Sequence, residues 1–236
     1  NINVTHDVVY AKPGIKPLKY DVFSPKNAKN LPCIVIVHGG GWSSNNEDIM
    51  RGLARELAKG GRYVVFSIDY RWINKLDGET KPTYMHQLIE DVFGAIAHIQ
   101  ENAKKYGADP TRIAVTGDSA GGHLSAAAAT LSPLIGDGGF GEREGVYQYM
   151  PSYMPKGKSI DQVKKQITDA VKAVAPSYGP ARASDFKQFL EQKDQAYWDA
   201  ISPIEHVPNV SERALPHFIV RGTNDPLVSN AVVQPY

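Results

Sequence analysis

Short β-branched runs alternate with longer helical stripes along this chain, and that rhythm constrains the fold more than any other feature. Cys33 to Val37 has no polar position, the pattern of a strand covered on both faces. Glu47 to Lys59 then places Met50, Leu53, Ala54 and Leu57 at helical spacing and stops at Gly60 and Gly61. Tyr63 to Asp69 is again an apolar strand, and Met85 to Lys105 carries Leu88, Ile89, Val92, Ile96 and Ile99 on one helical stripe. Arg112 to Thr116 reads as a strand, Ala120 to Leu131 as an alanine-rich helix and Val171 to Ala175 as another core strand. Ser184 to Gln192 reads as a short helix and His217 to Val220 as the last strand. Val4 to Tyr10 and Leu18 to Phe23 precede all of these as early strands bounded by Pro13, Gly14, Pro17, Ser24 and Pro25. The repeated unit predicts an α/β fold, a mostly parallel sheet with helices on both faces, over a single domain spanning 1–236.

Regularity breaks after Ser132. The stretch to Lys158 combines glycines and prolines with Tyr147, Tyr149, Met150, Tyr153 and Met154, and 132–169 is expected to form an insertion or lid. Two roles fit its aromatic and thioether side chains: local packing, or an adaptable cover over an apolar acyl or aryl group. Within it, Ser159 and Gln162 have the spacing of a capping box that opens a helix through about Ile167.

Several classes of function are excluded by composition. With 26 basic against 25 acidic side chains in 236 residues, the net charge is +1 and there is no block of like charge, so nucleic acid is not an expected partner. No apolar run approaches the ~18 residues of a membrane span. Cys33 is the single cysteine, so no intrachain disulfide forms, and in a strand it reads as an inert apolar residue. No metal-ligand spacing links the seven histidines. The chain opens at Asn1 without an initiator Met or an apolar leader, which leaves the compartment, cytoplasmic or secreted, and the oligomeric state open.

Two motifs carry chemistry. Gly117 to Gly121 spell GxSxG between a predicted strand and a predicted helix, the context of a nucleophile elbow that lifts Ser119 above the strand ends. Alone this pattern is weak. The second motif, HGGGW at His38 to Trp42, is much rarer by chance and follows directly on the strand ending near Val37. Amides of Gly40 and Gly41, with that of Ala120, are candidates for an oxyanion hole. His38 reads as a structural residue shaping the glycine loop, and His123, one turn after Ser119, as one that packs beneath the elbow.

HGGGW, with DYR at Asp69 to Arg71 and GDSAGG at Gly117 to Gly122, resembles the hormone-sensitive-lipase-like carboxylesterases of the α/β-hydrolase fold over nearly the whole chain. The resemblance implies Ser119 as nucleophile, Gly40, Gly41 and Ala120 as oxyanion donors, and Asp225 in HFIVRGTNDPLV as the catalytic acid, against a competing role as a turn aspartate before Pro226. It implies a small-molecule ester substrate and neither cofactor nor metal, and because the chain has no large apolar module for docking on a lipid interface, short acyl chains are expected to be favoured. One departure stands out. The family's histidine is expected roughly 25 to 35 residues after the acid, hence beyond Tyr236, together with a final strand and helix. His206 and His217, the nearest to Asp225, precede it. Two alternatives stay open: an amidase or formamidase on the same machinery, and a ligand-binding homologue that, like the gibberellin receptors, lacks a working histidine.

Overall fold

The computed structural model describes residues 1–137, 148–190 and 194–229. Six strands form one sheet: β1 (Ile2–Ala11), β2 (Leu18–Pro25), β3 (Leu31–Val37), β4 (Val64–Ile68), β5 (Ala108–Asp118) and β6 (Val171–Ser177), in the order β1-β2-β4-β3-β5-β6. β2 runs antiparallel to both β1 and β4, whereas β3 is parallel to β4 and β5, and β5 to β6. The sheet is therefore mixed at its start and parallel where the elbow lies. His217 and Val220 add isolated parallel bridges to Val174 and Ser177, so this predicted strand runs alongside β6 without becoming a full ladder.

Period-two alternation divides the core. Val35, Val37, Val64, Phe66 and Ile68 face one apolar cluster, while Ile36 and Val65 face a second with Phe23, Ala54 and Ala58. The second is covered by α1 (Arg51–Lys59), which is preceded by a 3-10 turn at Glu47–Met50, so the predicted helix over 47–59 is two elements. The first is covered by α2 (Met85–Asn102), α3 (Ala120–Thr130) and α4 (Ile160–Ala170). Every residue of α3 is buried. That fits its alanines: a helix set against β3, β5 and β6 with α2 beside it has little space at most positions, and His123 and Leu124 are its only large side chains.

The capping box forms as spaced: Gln162 N donates to Ser159 Oγ at 3.2 Å and Ser159 N to Gln162 Oε1 at 2.8 Å. Ser184 to Gln192 is not an α-helix but a 3-10 segment over Ala183–Phe189, kinked at Phe186, and it is followed by the short α5 (Gln195–Ala200).

Within the expected insertion, Tyr147 lies outside the described residues. Tyr149 is buried in the core, edge-on to Phe93 with ring centroids 5.7 Å apart, and its hydroxyl donates to the Ala200 carbonyl at 3.0 Å. Ser152 and Tyr153 lie so close to α2 that a Cβ at Gly94 would sit 2.7 Å from the Tyr153 amide nitrogen. Of the two roles open to these aromatics, Tyr149 takes the packing one.

Glu90 of α2 ties this segment down, accepting from the Met150 amide at 2.8 Å. Burial, opposed by that amide and by the Arg71 charge, pushes its ionisation up to about 8. From about pH 5 to about pH 8 the folded chain thus keeps a proton that an unfolded glutamate has lost. Stability should fall as pH rises through this window and level off above it. Urea midpoints measured from pH 5 to 9 should show a decline that Glu90→Gln flattens.

Candidate active site

Register brings the two motifs together. Val37, the last residue of β3, pairs with Gly117, and Asp118 at the end of β5 pairs with Ser177 at the end of β6, so three loops emerge side by side. Ser119 occupies the sharp turn from β5 into α3 with φ 52° and ψ −119°, a conformation non-glycine residues rarely hold. Its amide donates to the Ser177 carbonyl at 2.9 Å and its carbonyl accepts from the His123 amide at 3.1 Å. The turn closes only around glycine. A Cβ on Gly121 would collide with the Val37 carbonyl oxygen and come within 2.6 Å of that of His38. Ala120 opens α3, so its amide has no acceptor one turn back in the helix.

The HGGGW loop is fixed from both sides. Asp118 Oδ1 accepts from the Gly39 amide at 2.8 Å, which clamps the loop to the elbow. Gly40 (φ 127°) and Gly41 (φ 57°) lie in the region that favours glycine, as expected of a loop that turns sharply. Beneath them the buried His38 ring stacks on Tyr70 at 4.2 Å, with Nδ1 2.8 Å from the Gly39 carbonyl and Nε2 3.3 Å from Asp69 Oδ1. Lys16 Nζ reaches Asp69 Oδ2 at 2.9 Å, and the Tyr70 hydroxyl donates to the His38 carbonyl at 2.8 Å. Arg71 completes DYR: its Nε and Nη2 grip Asp91 of α2 at 2.9 and 2.8 Å, and its backbone amide donates to the same carboxylate.

Trp42 closes the loop on the elbow side. Its indole Nε1 donates to His123 Nδ1 at 3.1 Å, so the ring's proton is on Nε2, which donates to the Ile201 carbonyl at 2.8 Å. Burial pushes this imidazole down to about 4, leaving it neutral near pH 7.

Asp225 sits in the turn after the His217 to Val220 stretch. Its Oδ1 accepts from the amides of Leu227 and Val228, both at 2.9 Å, and those bonds hold its carboxyl below the usual range. Tyr178 directly follows β6. Burial, then the charges of Asp118 and Asp225, raise its phenol's ionisation. Val220, five residues before Asp225, bridges to Ser177 at the end of β6, and its carbonyl accepts from the Tyr178 amide at 2.6 Å, so the turn that carries Asp225 follows from the end of the sheet where Ser119 lies.

All seven histidines have partners other than Ser119 and Asp225. His6 meets Asp21, His86 the Tyr197 hydroxyl, His98 the Tyr20 hydroxyl, and His206 and His217 the carbonyls of Asp199 and Leu215, while His38 and His123 are bound as above. Asp7, Asp21 and Glu47 bring carboxylate oxygens within 4.8 Å of one another, but Arg51 and His6 pair with Asp21 and Lys19 with Asp7, so this is an ion-pair cluster. Among the described residues no helix is long and apolar enough to cross a membrane.

The roles of Asp118, Asp69 and Tyr70 were not read from the sequence. Asp118 fills the variable position of GxSxG, and its partner Gly39 is far away in the chain, so only the adjacency of two motifs at neighbouring strand ends signals the clamp.

A mostly parallel six-stranded sheet, helices on both faces and a serine held at positive φ in the strand-to-helix turn define the α/β-hydrolase fold. Residues 20–234 match the BD-FAE family, and the chain belongs to that family. It is similar to carboxylesterase NlhH of Mycobacterium tuberculosis, 38% identical over 125 residues that make up 52% of this chain and 37% of that protein. Esterase LipQ of the same organism is 29% identical, over 96% of this chain and 50% of that protein. The chain spans half or less of the length of these relatives. Esterase 2 of Thermogutta terrifontis shares the fold with a TM-score of 0.70 at 22% identity, over 99% of this chain and 74% of that one. That esterase is also known in a form phosphorylated by paraoxon.

Proposed function

We propose that this chain is the core of a serine carboxylic-ester hydrolase that acts on short-chain acyl or aryl esters through an acyl-enzyme on Ser119. The observation that carries this reading is the Asp118 to Gly39 hydrogen bond, which joins a strained serine turn to a glycine loop at positive φ. Names of the relatives, carboxylesterase and esterase, support it.

In this reading Ser119 Oγ bonds to the ester carbonyl carbon as its proton passes to a histidine base. The resulting oxyanion is held by the amides of Gly40, Gly41 and Ala120. The carbon to alkoxide bond then breaks, the leaving alcohol takes the proton from the imidazolium, and water releases the acid by the same steps. Asp225 orients the imidazole, its carboxylate kept charged by the Leu227 and Val228 amides. Within 1–236 each histidine has a partner other than Ser119 and Asp225, and the role of base is assigned to none of them.

Paraoxon tests the nucleophile directly. Full-length protein incubated with it should carry one diethylphosphoryl group, and peptide mass analysis should place it on Ser119. Labelling elsewhere, or none in a protein that turns over esters, sinks the assignment.

Asp118 tests the clamp. Losing one oxyanion donor costs roughly 10²–10³ in rate, and a loop that loses its anchor should lose part of that. Asp118→Ala is expected to lower kcat by about 10- to 100-fold with a small change in KM. Asp118→Asn, which retains an oxygen acceptor for Gly39, should recover much of the loss. Steady-state kinetics on p-nitrophenyl acetate separates the two.

A further inference from the structure

Two peptide units of the glycine loop are gripped by their carbonyl oxygens. The Gly39 carbonyl accepts from His38 Nδ1 at 2.8 Å and from Asn45 Nδ2 at 3.1 Å. The Gly40 carbonyl accepts from the Ser43 amide at 3.1 Å and from Ser44 Oγ at 2.8 Å. A peptide unit is planar, and in its trans form the C=O and the N–H of the next residue point in opposite directions. Holding the Gly39 oxygen therefore aims the Gly40 amide, and holding the Gly40 oxygen aims that of Gly41. Neither of these amides donates to another of the described residues.

Two of the four donors, Ser44 Oγ and Asn45 Nδ2, are side chains outside the HGGGW motif. Their segment folds closely over the loop: a Cβ on Gly40 would lie 2.7 Å from Asn45 Nδ2 and 2.8 Å from Ser44 Oγ. The turn they hold is not a relaxed one. Its central residues Gly41 and Trp42 have φ 57° and 60°, and a bulky residue such as tryptophan is rarely found there. Asn45 itself has φ 69°, which asparagine tolerates better than most residues. Its carbonyl accepts from Trp72 Nε1 at 3.0 Å, which ties the segment to the residue after Arg71. Ser44 and Asn45 are both exposed, so neither fills the core.

Resting on the ester-hydrolase reading, we propose that Ser44 and Asn45 are positioning residues of the oxyanion hole. Asn45, with His38, fixes the peptide that carries the Gly40 amide, and Ser44, with the Ser43 amide, fixes the one that carries the Gly41 amide. A strained turn left unheld relaxes, and a misplacement of about 1 Å can cost about 10²-fold in rate.

The experiment measures kcat and KM for p-nitrophenyl acetate, with melting temperatures alongside, in full-length protein and in Ser44→Ala, Ser44→Thr, Asn45→Gly and Asn45→Asp. Glycine is the deletion at 45 because alanine would be strained at φ 69°. Loss of a whole oxyanion donor costs roughly 10²–10³ in rate, and a donor that keeps its place but loses its aim should cost about tenfold. Ser44→Ala and Asn45→Gly are each expected to lower kcat by about tenfold, with KM within about twofold and the melting temperature nearly unchanged. Ser44→Thr retains the hydroxyl and should restore most of kcat. Asn45→Asp sets a carboxylate against the Gly39 carbonyl and should lower kcat at least as far as glycine does. A trifluoromethyl ketone, whose adduct with Ser119 carries an oxyanion, should bind more weakly by the same factor as kcat falls. Folded variants of an active enzyme that keep kcat within about twofold, or that lose it without weakening the ketone, overturn the proposal. If the unaltered protein turns over no ester, the ester-hydrolase reading itself fails and this role falls with it. Should Asn45→Gly not fold, Ser44→Ala and Ser44→Thr decide the case by the same criteria.

Discussion

Ser119→Ala is expected to lower ester turnover in full-length protein by at least a thousandfold while leaving the fold intact. Members of a nucleophile and base unit act together, so losing the oxygen removes the whole covalent route and leaves only what the oxyanion donors and substrate binding supply. The fold should survive because Ser119 holds its turn through backbone groups: its amide to Ser177, its carbonyl to His123. Its side chain does not cap α3. Alanine meets the same strain at φ 52°, so the melting temperature should change little. Retention of more than about a tenth of the activity, a barrier change under ~1.4 kcal/mol, would exclude Ser119 as the nucleophile.

The second large effect is on stability. Arg71 and Asp91 form a bidentate pair, and Asp91 is wholly buried. Burial raises the Asp91 carboxyl's ionisation, and the Arg71 guanidinium opposes it with both charge and hydrogen bonds. Removing one partner strands the other, at a cost of about 3–5 kcal/mol. A domain of this kind has only about 5–15 kcal/mol in hand. Asp91→Ala should thus shift the urea midpoint far to lower concentration or abolish folding. Replacing both residues with apolar ones of similar volume, Arg71→Met with Asp91→Leu, should recover most of the loss. A double variant as unstable as the single one would show that the pair's geometry, more than stranded charge, supports the DYR segment.

Much of the fold was legible in the sequence, for identifiable reasons. β3 and β4 are strands buried on both faces and read as unbroken apolar runs, and α2 shows a long stripe that no other element imitates. Ser159 and Gln162 satisfy each other locally, so their spacing suffices. Strand direction is different. Nothing in Leu18 to Phe23 says that β2 runs against β4, because antiparallel and parallel neighbours bury the same residues. β5 begins at Ala108, earlier than its apolar run at Ile113, because Leu31 and Pro32 of β3 pair with Ala108 and Asp109. α5 spans six residues, too few for periodicity to register, and owes its start to Asp194, which accepts from the Ala196 amide. For Tyr149 the sequence left packing and cover both open, because its neighbours are glycines, prolines and tyrosines, and only its contact with Phe93 places it in the core.

In the candidate site, what the motifs spell is local and what supports them is not. Ser119, Gly40 and Gly41 belong to short patterns readable in one glance along the chain. Asp118 with Gly39, Asp69 with His38 and Lys16, and Tyr70 with the His38 carbonyl join segments that no spacing rule connects.

The register of β3 on β5 has one more consequence, for the time at which a site comes into being. Gly39 and Asp118 are 79 residues apart in the chain and meet only after Val37 has found Gly117. Pairings of such wide separation are slow to close, because the loop between them must be ordered first. A chain in which β3 and β5 are still apart holds every residue named above but lacks the bond from the Gly39 amide to Asp118 that clamps the two motifs together. The motifs thus depend for their arrangement on a contact between distant parts of the chain, which neither motif contains by itself.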